Sequence, residues 1–83
     1  MIKVVIADND TVFSGILKEK IEKANSKMCV TCVTNGNELV EKIQNGHADV
    51  VLTELVLPDM DGIFAIKQLQ EIKSRKLWIV NIL

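Results

Sequence analysis

This 83-residue chain is poor in three things: clustered positive charge, long apolar runs and paired metal ligands. Its 10 Lys and Arg stand against 11 Asp and Glu, for a net charge of −1, and the lysines are scattered among glutamates instead of grouped with aromatics. The electrostatic footprint that phosphate-backbone binding needs is missing, so direct nucleic-acid binding is not expected. No segment approaches the roughly 20 apolar residues of a membrane span. The apolar start, residues 1–7, is too short for a signal-peptide core and runs straight into Asp8. The expectation is a cytoplasmic protein without a membrane partner.

Cysteine is scarce as well. The two present, Cys29 and Cys32, have C-x-x-C spacing, which can mark a redox pair or half a zinc site. They lie in the run Met28-Cys29-Val30-Thr31-Cys32-Val33, whose β-branched residues favour a strand. On a strand, residues three apart point to opposite faces and do not readily share a metal or a disulfide. No second C-x-x-C or C-x-x-H completes a zinc site. Both cysteines are therefore expected to be structural, buried as small hydrophobes.

What is present is a globular composition, 48% apolar and 25% charged, with no repeat and no stretch that reads as a linker. Residues 1–83 form one domain, small enough that its stability should be marginal. The residues after Met1 up to Ala7 make an apolar run broken only by Lys3, stopping at Asp8-Asn9-Asp10-Thr11, as a buried parallel strand does on entering a functional loop. Val12, Phe13, Ile16, Leu17, Ile21 and Ala24 recur at helical spacing, with Asp10 or Thr11 as N-cap. Asn25-Ser26-Lys27 turns into a strand over residues 28–33. Asn35-Gly36-Asn37 precedes a second helix marked by Leu39, Val40 and Ile43, and Asn45-Gly46 ends it. Residues 49–55 read as a third strand, 56–62 as a loop, 63–72 as a third helix and 77–83 as a fourth strand. The order is β-α-β-α-β-α-β.

Strict alternation of this kind implies right-handed crossovers and a parallel sheet covered on both faces. Reactive sites in such sheets gather at the carboxyl ends of the strands. That is where the sequence puts Asp8, Asn9 and Asp10, after the first strand, and Glu54, at the end of the third. The fourth strand, Leu77-Trp78-Ile79-Val80-Asn81-Ile82-Leu83, reads as buried on both faces with nothing after it to cover it, and a free apolar edge is a pairing template.

These residues carry a family likeness. Ile2-Lys3-Val4-Val5-Ile6-Ala7-Asp8-Asn9-Asp10 resembles the first strand and acidic pair of response-regulator receiver domains, the chemotaxis-protein-like family. Glu54-Leu55-Val56-Leu57-Pro58-Asp59-Met60-Asp61-Gly62 resembles their phosphoacceptor loop, D-x-x-x-P-x-x-D-G. The likeness covers the whole chain and is strongest to receivers of the sporulation master regulators of spore-forming Firmicutes. It implies an α/β, flavodoxin-like fold with family strand order 2-1-3-4-5, here a truncated receiver of order 2-1-3-4 without the fifth strand and last two helices.

The resemblance also implies a chemistry, and the sequence departs from it. In receivers a carboxylate takes a phosphoryl group, acidic residues hold Mg²⁺, and a lysine on the fifth strand pairs with the phosphate. Asp8 matches the first acidic position, but Asn9 stands at the second, and an amide removes a unit charge from a hard-cation site. The former acidic pocket would comprise Asp8, Asn9, Asp10 and Val56, with weak or absent Mg²⁺ binding and no other cofactor. Glu54 occupies the acceptor position one methylene too long, where near-attack geometry is sensitive at about 1 Å. The switch Thr or Ser would lie at or just beyond Leu83, and the phosphate-binding Lys has no counterpart. These parts act as a unit, so no phosphotransfer and no enzymatic activity are expected. Pro58, Asp61 and Gly62 retain the loop motif, although each alone is an ordinary turn residue.

The reading that follows is a pseudo-receiver that works by binding in two-component or phosphorelay signalling. It pairs as a homodimer through residues 77–83 and takes a receiver, a histidine kinase or a phosphotransfer protein as partner. Trp78 is a candidate anchor, and Asn81 a dimer contact or the mouth of the old acidic site. His47 is expected to be a solvated surface residue. Two alternatives stand beside it: a weak Mg²⁺-dependent phosphoacceptor using Glu54 or Asp8, and a fragment without selected function.

Overall fold

The computed structural model describes residues 1–54 and 56–60, and residues 78–81 as backbone. Its elements run β1 (Ile2–Ala7), α1 (Thr11–Ala24), β2 (Met28–Val33), α2 (Gly36–Gln44), β3 (Val50–Thr53) and β4 (Trp78–Asn81). All strands are parallel in the order β2-β1-β3-β4, which is the expected order. Ile2 pairs with Met28 and Ala7 with Val33 on one side of β1, while Val4 to Ala7 pair with Val50 to Thr53 on the other. The anticipated third helix lies outside the described residues, as do Leu77, Ile82 and Leu83. Strand β3 is shorter than the expected residues 49–55: Asp49 precedes it and Glu54 follows it.

Period-two alternation divides β1 between two apolar layers. Val5 and Ala7 join Val33, Val51, Leu39 and Ile43 under α2, with Ala48 and Leu57 closing the layer. Val4 and Ile6 join Val30 under α1, with Leu17 and Ile21 half-buried against them. Among the described residues no helix is long and apolar enough to cross a membrane.

Helix α1 corrects the sequence reading. It starts where expected, with Asp10 as N-cap, but its contact line runs through Ser14, Leu17 and Ile21. Ser14 is its one buried residue, with the Oγ donating to the Asp10 carbonyl at 3.1 Å. Val12, Phe13 and Ile16 remain 71, 41 and 53% exposed. The helix packs over β2 and β1, and residues rotated off that line meet nothing that buries them.

The cysteines require a second correction. They do sit on opposite faces of β2, but both are exposed. Strand β2 is an edge of the sheet, so neither face at these positions is fully roofed. Cys32 lies against α1, with Sγ donating to the Ser14 carbonyl at 3.6 Å. Glu22 shields part of the same strand, its Oε2 accepting the Val30 N–H at 3.0 Å. A carboxylate on an edge amide blocks that position to another strand.

Candidate functional site

The carboxyl ends of β1 and β3 lie side by side, and the ladder continues one residue past each. Asp8 N donates to the Val33 carbonyl and Glu54 N to the Ala7 carbonyl, both at 3.1 Å. This extension brings Asp8 and Glu54, separated by 46 positions in the chain, to one rim. Asp8 is buried at 4% exposure, Glu54 is half-buried, and Asn9 and Asp10 are exposed.

Each carboxylate of this rim is engaged with backbone. Asp8 Oδ1 accepts the Asp10 N–H at 2.8 Å, closing an Asx turn that aims the chain into α1. Asp10 Oδ1 accepts the Phe13 N–H at 3.0 Å, so this carboxylate caps the helix. Glu54 is held above its ordinary carboxylate value, first by burial, then by the Asp8 charge, its hydrogen bond to the Asp8 side chain and the Asp10 charge; the Asn9 N–H opposes the rise. Thr53, buried beneath them, donates from Oγ1 to the Glu54 carbonyl at 2.9 Å.

The loop after β3 carries a residue that sequence reasoning missed. Asp59 Oδ1 accepts the Gly36 N–H at 2.6 Å and Oδ2 the Asn37 N–H at 3.0 Å. Those amides are donors at the start of α2 that the helix itself leaves unsatisfied. The Gly36 N–H, with that of Asn37, holds the Asp59 carboxyl below its ordinary value. The same helix start has a local capping box: Asn35 Oδ1 accepts from Glu38 N at 2.9 Å, while Glu38 Oε1 accepts from Thr34 N and Oγ1. Gly36 is required for close approach, since a Cβ there would collide with the Met60 side chain. The local box was legible in T-N-G-N-E, but the Asp59 clamp spans 22–23 positions and leaves no periodic signal.

Of the other sequence-flagged residues, Val56 is 68% exposed beside the rim and Pro58 is exposed. Asp61 and Gly62 lie outside the described residues. Asn81 pairs in register with Thr53, which puts its backbone at the carboxyl end of the sheet. Nothing is described of the β4 side chains, so the interface reading of Trp78, Ile79 and Val80 falls outside the described residues. Among the described residues no three His, Cys, Asp or Glu side chains form a group that could hold a metal ion.

The fold has a counterpart in known proteins. The response regulator receiver domain model matches residues 4–82. This chain belongs to that family. It is 36% identical over 78 residues to the chemotaxis protein CheY of Thermotoga maritima, covering 94% of this chain and 64% of CheY. It is 28% identical over 79 residues to a protein-glutamate methylesterase/protein-glutamine glutaminase of Nitrobacter winogradskyi, covering 95% of this chain but 18% of that protein. The chain thus spans less than two thirds of these relatives. The solved receiver domain of Francisella response regulator 1452 superposes with a TM-score of 0.75 at 29% identity, over 88% of this chain and 59% of that one. The fold is the flavodoxin-like receiver fold. Receiver domains belong to two-component signalling, where they interact with histidine kinases and phosphotransfer proteins.

Proposed function

We propose that this receiver domain does not take up phosphate and acts in two-component or phosphorelay signalling by binding alone. The crowding of Asp8 and Glu54 at one rim carries this reading, with Glu54 held above its ordinary value first by burial and then by the Asp8 charge. Glu54 at the acceptor position is one methylene longer than Asp, and near-attack geometry is sensitive at about 1 Å. Asn9 adds no charge to the rim, and the Asp10 carboxylate faces the start of α1, so the donor set suits Mg²⁺ poorly. Exposed Val12, Phe13 and Val56 flank the rim and suit docking of a receiver, kinase or phosphotransfer partner better than access for a small phosphodonor.

A homodimer through β4 is the second part of the proposal. That strand lies at the end of the sheet order, pairing only with β3 among the described residues, and an unpaired edge accepts another strand. The motif likeness to sporulation regulators suggests a sporulation phosphorelay as the setting.

The test is incubation with acetyl phosphate and Mg²⁺, followed by intact-mass analysis of the wild type and of an Asn9→Asp/Glu54→Asp variant. The wild type is expected to stay unmodified. A labile phosphoryl adduct on it would overturn the first part of the proposal. Light scattering across a dilution series, with a Trp78→Glu/Val80→Lys variant alongside, checks the second part: a dimer that these substitutions dissociate supports it, and a monomeric wild type ends it.

A further inference from the structure

The opposite end of the sheet holds a second concavity with the reverse charge. A half-open pocket of about 240 Å³ is lined by Met1, Lys3, Cys29, Thr31, Lys42 and His47. Its residues come from three separate elements and a turn, and they converge for identifiable reasons. Lys3 and Cys29 are register partners on β1 and β2, and Thr31 follows two residues on, hence on the same face. That face is the one α2 covers, since Val5 and Val33 on it pack against Leu39 and Ile43. Lys42 lies in the last turn of α2. Gly46, at φ 74°, reverses the chain, and the His47 N–H then bonds back to the Lys42 carbonyl at 2.9 Å. This turn folds His47 beneath the end of the helix.

The end of a helix is ordinarily unfavourable for an anion, because its free carbonyls are partially negative. Here they are occupied. The Glu41, Lys42 and Ile43 carbonyls accept from Asn45, His47 and Gly46 N–H groups, and Lys3 Nζ donates to the Gly46 carbonyl at 3.2 Å. Asp49 accepts the Lys3 backbone N–H through Oδ2 at 2.8 Å and does not line the pocket. No ion pair is formed by Lys3, Lys42 or His47 among the described residues. Two lysines and a histidine thus line one small cavity together with Met1, Cys29 and Thr31.

We infer that this pocket is a binding site for a small ligand carrying an oxyanion, a phosphate or a carboxylate, with Lys3 and Lys42 as its charge partners and His47 and Thr31 as hydrogen-bonding groups. The volume lies below the ordinary range for drug-sized ligands, which limits the occupant to a few heavy atoms beyond its charged group. The site is remote from the Asp8–Glu54 rim and does not depend on whether that rim takes phosphate.

Cys29 supplies a reporter inside the pocket, and Cys32, on the other face of the same strand, an internal control. The experiment measures alkylation of each thiol by iodoacetamide, peptide by peptide, in inorganic phosphate, in succinate and in chloride matched for ionic strength. An oxyanion in the pocket covers the Cys29 thiol and hinders approach of the reagent. Alkylation of Cys29 should slow several-fold relative to chloride, with Cys32 unchanged. Protection by phosphate alone, or by succinate alone, supports the site and assigns its ligand class. Lys42→Met, which keeps the alkyl stem, and separately His47→Gln should abolish protection while leaving the far-UV circular dichroism unchanged. Equal rates in all three salts, or protection that survives both substitutions, overturns the proposal.

Discussion

The two ends of the sheet treat charge differently. At the carboxyl end, Asp8, Asp10 and Asp59 each accept at least one backbone N–H. At the amino end, Lys3 Nζ holds one carbonyl, while the Lys42 and His47 side chains form no ion pair among the described residues. The acidic groups therefore shape loops and cap helices, whereas the basic groups remain available to a ligand.

Substitutions at the two ends should differ in their effect on stability. The largest loss is expected for Gly36→Val, whose branched side chain meets Met60 at the junction of α2 and the loop after β3. Overpacking of this kind costs about 1–3 kcal/mol, read as a lower urea midpoint. A midpoint within error of the wild type would mean that the loop gives way freely and that the clamp contributes little.

Next come two carboxyls of the same rim whose pH dependences have opposite sign. Glu54 lies above its ordinary value of 4.5, so its contribution is full below that value and is lost as pH rises through the raised folded value. Glu54→Gln should remove this decline and raise the neutral-pH melting temperature. Asp59 lies below its ordinary value of 3.8, so its contribution is full above that value and is lost as pH falls through the lowered one. Asp59→Asn should therefore lower stability at neutral pH and flatten the acid limb of a melting-temperature profile. Parallel profiles for the two variants would break the distinction between a self-opposing pair and a helix clamp.

The smallest effects belong to exposed charges away from the rim. Lys42→Met should shift stability by no more than about 0.5 kcal/mol, because its ammonium holds no partner among the described residues. Lys23→Ala, which removes the exposed Glu19–Lys23 pair at 2.8 Å, should cost about 0.2–0.5 kcal/mol, and less at high salt. A loss from Lys42→Met as large as that from Gly36→Val would show that the amino end is also structural.

Much of this architecture was legible because it is local. A continuous apolar run marked β1 and a β-branched run β2, and Asn35 and Gly46 bounded α2 with chemistry that acts within four residues. The carboxyl-end position of Asp8 and Glu54 followed from strand–helix alternation alone. Helix α1 was less legible: many apolar residues recurred at helical spacing, and only packing decided that Leu17 and Ile21 turn inward while Val12, Phe13 and Ile16 stay out. The cysteines were misjudged for a related reason. Burial of a strand residue depends on whether its strand is central or at the edge, and β2 is an edge.

The amino-acid sequence by itself determined the order of elements, the parallel topology and the acidic rim, because hydrophobic period and turn chemistry act over a few residues. The tertiary structure alone decided three other matters: the burial of Asp8 beside Glu54, the grip of Asp59 on Gly36 and Asn37, and the meeting of Lys3, Cys29, Lys42 and His47 around one cavity. Each joins groups that strand register and helix placement bring within a few ångströms, and no local pattern in the chain encodes such a distance.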